Sequence, residues 1–157
     1  MFARLNQLCT GFLVVYLLTA WLPAVAGNDG IVRVKSAYPI AETIERLKKD
    51  IADKGIKFFD EIDQSRLAAN AGIKLRPSVL LIFGNPKAGT PLMQGRQTIG
   101  LDLPLRALVW EDGEGKVWLT YRRVEELARR HHVTGQDETV KALDDGLAGL
   151  ARAATAR

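Results

Sequence analysis

Two stretches of this chain carry the residue types that chemistry needs. The first is Gly84-Asn85-Pro86-Lys87-Ala88-Gly89-Thr90, which follows an apolar run and precedes Pro91-Leu92-Met93. A phosphate-binding loop would occupy that place, but its pattern requires Gly, four residues, then Gly-Lys-Ser/Thr. Here Thr90 follows Gly89 directly and Lys87 sits inside the loop, which argues against nucleotide binding. Amides at a helix start can still hold a small anion, and Gly with Pro also serves simply to shape a tight connection. The second stretch runs from Asp102 to Tyr121 and holds Asp102, Glu111, Asp112 and Glu114 together with Trp110, Trp118 and Tyr121. Carboxylates facing each other across a cleft would permit general acid–base work. Carboxylates crowded on one turn are ordinarily solvated.

His131 and His132 are the only histidines. Neighbouring residues on a helix point in different directions, so the two do not share a metal easily. No recognised ligand spacing accompanies them, and no metal or cofactor is expected. A histidine ending a helix stabilises the helix dipole, which is the plainer account. No Gly-x-Ser-x-Gly elbow is present, and without a cysteine beyond Cys9 the nucleophile–base pairs reduce to Ser or Thr with one His. No residue is assigned as catalytic. The aromatics Trp110, Trp118 and Tyr121, with Phe83 and Met93, could line an apolar pocket that takes polar groups from Asn85, Thr90 and Asp102. Buried aromatics are also ordinary core.

The elements that position these residues follow from periodicity. A first strand is expected over Ile31 to Ala37, where Val32 and Val34 alternate with Arg33 and Lys35. Pro39 opens a helix in which Ile40, Ile44, Leu47 and Ile51 form one apolar stripe, ended by Gly55. Ile56 to Ile62 reads as a strand, and Asp63 caps a short helix over Gln64 to Ala71. Ser78 to Phe83 is nearly continuously apolar, which predicts burial on both faces. Thr90-Pro91 marks a short helix over Leu92 to Gln94. Ala107 to Glu111 and Lys116 to Tyr121 flank Asp112-Gly113-Glu114-Gly115, a hairpin signal. Helices follow over Val124 to His131 and 135–156. Together these predict an α+β fold: a two-layer sandwich with a mostly antiparallel sheet and helices packed on one face.

Residues 1–26 differ from the rest. Arg4 is their only charge, Gly11 to Leu22 is almost wholly apolar, and Ala24-Val25-Ala26 gives a small-residue exit. This reads as a signal peptide cleaved after Ala26, and the run is shorter than the roughly 20 residues of a spanning helix. The expected product is periplasmic or secreted, with no stable membrane anchor and a single domain over 27–157. Cys9 lies inside the leader, so the remainder has no thiol and no disulfide. The formal charge of the whole chain is +4 and its Lys and Arg are dispersed among acids. Nucleic-acid binding would need a basic stripe, and none is present in the sequence.

With Gly84 to Met93, Leu101-Asp102-Leu103-Pro104-Leu105 and Val109-Trp110-Glu111-Asp112 in view, the chain closely resembles the bacterial family known as domain of unknown function 302. The resemblance covers about Ser36 to His131 and extends to Ile62-Asp63, Leu75-Arg76-Pro77, Gly115-Lys116-Val117-Trp118 and Tyr121. It implies a two-layer α+β domain with an antiparallel sheet and a tendency to pair as homodimers, and brings no agreed activity or cofactor. Two positions depart from the family pattern. A His often follows the Ile–Asp pair, where this chain has Gln64, and the stretch after Tyr121 is Arg122-Arg123-Val124 rather than Asn-Asp-Pro-like.

The expectation is therefore an exported module that binds a small ligand or a partner without catalysis. Its candidate ligand-binding residues are Asn85, Pro86, Lys87, Gly89, Thr90, Met93, Asp102, Trp110, Glu111 and Tyr121. One alternative is an enzyme of hydrolase or isomerase type using Asp102, Glu111 or His131 as acid or base. Another is a homodimeric structural or stress-accessory protein.

Overall fold

The computed structural model describes residues 29–157; the proposed leader lies outside them. Five strands, β1 (Ile31–Lys35), β2 (Lys57–Asp63), β3 (Ser78–Gly84), β4 (Leu105–Glu111) and β5 (Val117–Arg122), form one antiparallel sheet in the order β1-β5-β4-β3-β2. The helices are α1 (Ile40–Asp53), α2 (Gln64–Asn70), α3 (Pro86–Gly95), α4 (Val124–Arg130) and α5 (Asp137–Thr155), with a 3₁₀ turn over Gln97–Leu101. The expected α+β class and sheet character are observed.

Helix α1 joins the two edge strands, so it must cross the whole sheet. Its 14 residues span about 21 Å at 1.5 Å per residue, close to the ~19 Å between the outer strands of a five-stranded sheet. Its stripe buries Ile44, Leu47 and Ile51 against the inward rows Val79-Leu81-Phe83, Ala107-Val109 and Val117-Leu119-Tyr121. Helix α5 lies beside it and adds Leu147, Leu150, Ala151 and Ala154. Its C-terminal end is tied to the β1–α1 turn: the Ala37 N–H donates to Thr155 O at 2.9 Å, and the Tyr38 hydroxyl donates to Ala156 O at 3.1 Å. Beneath that turn Ser36 and Thr43 share a buried hydroxyl–hydroxyl hydrogen bond of 2.7 Å.

Two expectations are corrected. Strand β3 is not buried on both faces. Val79, Leu81 and Phe83 are buried while Ser78, Leu80 and Ile82 stay half-exposed, because α1 and α5 both pack on the inward side. The segment after Gly84 is not a loop leading to a short helix at Leu92. Helix α3 already begins at Pro86 and runs through Pro91 to Gly95. Asn85 starts it, accepting the Lys87 N–H on Oδ1 at 3.0 Å, and Pro86 stands at the first helical position, where its missing N–H has no intrahelical partner to lose. The Leu103–Pro104 peptide bond is cis.

Helix α4 has no cap of its own, since Arg123 makes no side-chain cap bond. Asp144 of α5 supplies it from a distance: Oδ1 accepts the Val124 N–H at 2.6 Å and Oδ2 the Glu125 N–H at 3.1 Å. Replacing Asp144 with Ala removes both acceptors and should cost about 0.5–2 kcal/mol, the range of a lost N-cap, measured by chemical denaturation. An unchanged midpoint would show that solvent serves α4 equally well.

Candidate functional site

Glycine and proline in Gly84 to Pro91 keep α3 short of side chains on the surface that faces the sheet and α5. Leu92 is its only buried residue, so the helix is pinned at one end and stands over open space at the other. Two adjoining cavities result. The larger, about 520 Å³, lies between α3 and α5. Its floor is apolar (Ile56, Phe83, Leu105, Leu143, Leu147, Leu150), and Asn85, Lys87, Glu138 and Thr139 supply its polar lining. The smaller, about 260 Å³, opens between α3 and the Leu103–Pro104 segment and is lined by Phe59, Gly84, Asn85, Pro86, Gly89, Thr90 and Met93. A Cβ on Gly89 would stand 3.6 Å from Leu103, and one on Gly84 3.5 Å from Pro104. The two bare backbones leave this hollow room.

Six of the ten expected residues therefore meet around α3: Asn85, Pro86, Gly89, Thr90 and Met93 at the smaller cavity, and Lys87 with Asn85 at the larger. Neither Lys87 nor Glu138 takes part in an ion pair among the described residues. Two free charges of opposite sign beside an apolar floor can orient a molecule that carries a polar end.

The other four expected residues line neither cavity. Tyr121 points into the core at 7% exposure. Trp110 lies on the outward face of the sheet, its indole N–H donating to Thr120 Oγ1 at 2.9 Å. Glu111 ends β4, and its carbonyl accepts from Arg76 at 3.3 Å. Asp102 stands across from His131, with Oδ2 2.8 Å from Nε2, while the other ring nitrogen is 3.1 Å from Thr98 Oγ1. Strand geometry explains the split. Trp110 and Tyr121 have opposite parity on paired strands, so they project to opposite faces.

Thr98, His131 and Asp102 form a hydroxyl–imidazole–carboxylate chain, the grouping in which nucleophilic catalysis is sought. Thr98 comes from the 3₁₀ turn and His131 caps α4, so the chain fastens two elements together. Neither Thr98 nor His131 lines either of the two cavities. Gln64, at the place of the family His, accepts from the Ser78 hydroxyl at 2.9 Å and ties α2 to β3.

The acidic turn is structural. Asp112 Oδ1 accepts the N–H groups of Glu114 and Lys116, both at 2.9 Å, and Oδ2 accepts the Trp118 indole N–H at 2.8 Å. The Trp118 bond first, then these backbone donors, hold the Asp112 carboxyl below its ordinary value. A depressed carboxylate stabilises the hairpin above the unfolded value of about 3.9 and loses that contribution as the pH falls through the lower folded value. An NMR titration of the Trp118 indole should report a midpoint below that of a free aspartate. A midpoint at or above it would exclude the bond.

Sequence reasoning missed the α5 side of the site: Glu138, Thr139, Ala142, Leu143 and Gly146. The stripe Val140, Leu143, Leu147 and Leu150 is legible in the sequence, but periodicity does not say what a stripe faces.

An antiparallel sheet with its helices on one face, and a hollow beside one helix carried near a sheet edge, defines a small two-layer α+β domain with room for a ligand. The chain belongs to the family described as Domain of unknown function DUF302, whose model matches residues 32–150. A crystal structure of an uncharacterized conserved DUF302 protein from Bacillus stearothermophilus shares the fold, with a TM-score of 0.73 and 18% identity over 80% of this chain and 98% of that one. The chain is also 48% identical over 120 residues to "Fluoride-specific ion channel FluC 1" of Brucella suis biovar 1 (strain 1330), covering 76% of this chain and 47% of that protein. It is equally similar to "Fluoride-specific ion channel FluC 2" of Brucella melitensis biotype 1, over 44% of its length. The chain spans about half the length of these curated relatives.

Proposed function

We propose that this protein is an exported module, periplasmic or secreted, that binds a small and largely apolar molecule between α3 and α5 without transforming it. The observation that carries this reading is the cavity of about 520 Å³, with its apolar floor and with Lys87 and Glu138 among its lining residues. Ligand sites are typically concave, mostly apolar and supplied with a few polar groups that fix orientation. The test is native mass spectrometry of the gently purified chain together with titration of the apolar fluorophore 1-N-phenylnaphthylamine. A co-purified mass or saturable one-site fluorescence supports the reading. A bare mass with only linear, unsaturable fluorescence would end it.

A second reading comes from the Brucella relatives. A channel has to cross the bilayer, yet among the described residues no helix is long and apolar enough to do so. The half of those proteins that matches this chain would then be an extramembrane module carried beside the channel. By that analogy this chain would serve a membrane channel as a separate partner. Co-purification of the chain with the channel half of the Brucella protein, expressed without its own matching half, supports the analogy. Failure to co-purify in detergent and in nanodiscs counts against it.

A further inference from the structure

The sheet has a second face, which carries neither α1 nor α5, and one end of it concentrates positive charge. Across that end the strand partners run Ile31 with Arg122 and Arg106 with Ile82. One step beyond the Ala107–Tyr121 pair, the register sets Arg106 directly beside Arg122 on the outward side. Their Cβ atoms then stand about 5 Å apart, and like charges placed directly opposite destabilise a sheet. Little on the chain offsets the pair. Arg122 joins no ion pair among the described residues. Arg106 has only Asp102, whose Oδ1 is 3.8 Å away while Oδ2 meets His131 at 2.8 Å. Each guanidinium is held instead by a backbone carbonyl: Arg106 donates to Leu101 O at 2.7 Å and Arg122 to Asp29 O at 3.3 Å. A guanidinium carries several N–H donors in a fixed fork, so most of each fork is left to donate elsewhere.

Beside the two arginines opens a hollow of about 250 Å³, lined also by Ile31, Leu80, Leu108 and Thr120 and bordered by Asp102. Thr120 Oγ1 accepts the Trp110 indole N–H at 2.9 Å, which leaves its own hydroxyl hydrogen to donate. From the hollow an apolar track continues through Leu108, Leu80 and Ile62, neighbours on three adjacent strands, over roughly 10 Å.

We infer that this hollow binds the carboxylate head of a free aliphatic monoacid, whose chain lies on the Leu108–Leu80–Ile62 track. Two guanidiniums against one carboxylate, itself shared with His131, leave an excess of positive charge that one anion neutralises. Guanidinium forks match the paired oxygens of a carboxylate. Backbone carbonyls steady both forks beforehand, so less side-chain freedom is lost on binding. The hollow is smaller than the roughly 300 Å³ at which sites begin to enclose a whole drug-sized ligand. It therefore takes a head and leaves the chain on the sheet. An extended anionic surface fits less well, because Asp102 borders the hollow and Asp60 lies beyond Ile82 at the same end of the face. The assignment does not rest on the α3–α5 reading, since neither arginine lines those cavities.

Calorimetric titration of the full chain with decanoate tests the assignment. Decanoate should bind saturably at one site. Acetate should bind at least about tenfold more weakly, because each methylene buried on the track adds up to about fourfold. Arg106→Gln and Arg122→Gln should each weaken decanoate at least about tenfold, the effect of losing hydrogen bonds to a charged group. If an arginine variant fails to fold, Thr120→Val decides: it keeps the side-chain shape and should weaken decanoate at least about threefold. No saturable binding, or binding that survives both arginine substitutions, would overturn the assignment. So would acetate bound as tightly as decanoate. Arginine-dependent pelleting with phosphatidylglycerol vesicles in place of decanoate binding would overturn it too, by making the face a membrane-docking surface. Decanoate lost in Gly146→Trp, which fills the α3–α5 cavity, and kept in the arginine variants would place the carboxylate in that cavity instead. Uptake of 1-N-phenylnaphthylamine by the α3–α5 cavity is a separate measurement, so either site can fail alone.

Discussion

Gly146→Trp should sharply weaken uptake of an apolar probe while the fold keeps its stability. Gly146 lies in the interior of α5 and on the wall of the larger cavity, and a Cβ built there meets nothing within 4 Å. The indole would enter space that a ligand otherwise occupies. Glycine costs a helix interior about 1 kcal/mol relative to alanine, so adding a side chain here does not oppose the helix. Probe affinity should fall at least about tenfold, equivalent to roughly 1.4 kcal/mol. Gly149 is the matched control. It lies one turn further along α5, lines none of the described cavities and has open space at its Cβ. Gly149→Ala should raise stability by up to about 1 kcal/mol and leave the probe bound as before. Normal probe binding by Gly146→Trp would move the ligand away from the α3–α5 cavity.

Leu92→Ala should give the largest loss of stability among changes at the site, about 2–5 kcal/mol, the range for truncating a fully buried leucine. The residue is 0% exposed and is the only buried side chain of α3. The rest of that helix is held weakly. Pro91 lacks the N–H that would bond back along the helix, and Gly89 and Gly95 add no packing to its length. Chemical denaturation would measure the loss, and amide exchange should show α3 opening ahead of the central strands. A cost below about 1 kcal/mol would mean that α3 is held by contacts other than Leu92. Because α3 walls both cavities, the variant should also lose probe affinity, in contrast to Asp144→Ala, which loosens α4 and leaves both cavities walled.

How much is legible in the sequence depends on how local each feature is. The stripe Ile40, Ile44, Leu47 and Ile51 announces α1, and three of its four residues are buried in it. The Asp112–Gly115 turn announces the β4–β5 hairpin, which forms with Gly115 at φ +73°. Asn85-Pro86 is a helix start masked by Gly89 and Pro91, which look like breakers when taken one at a time. Gathering Asn85, Pro86, Gly89, Thr90 and Met93 around one hollow is within reach of the sequence, since all lie on or beside one helix. Adding Trp110, Glu111 and Tyr121 to that group is not justified. Their chain distance from α3 is modest, but strand parity and sheet position send them elsewhere.

The sequence by itself determined the order of the elements, all of them but the extent of α3, and the α+β class, because periodicity, caps and turn residues act over a few neighbouring positions. Tertiary structure alone decided what the elements face. It decided that Asp144 caps α4 from 20 residues away, and that His131 meets Asp102 across 29. It also decided that one face of β3 is left without α1 or α5, and that α5 closes a cavity against α3. These are contacts between segments brought together by burial of apolar surface, a force that depends on area and has no direction of its own. Which distant side chains become neighbours then follows from how the finished layers fit.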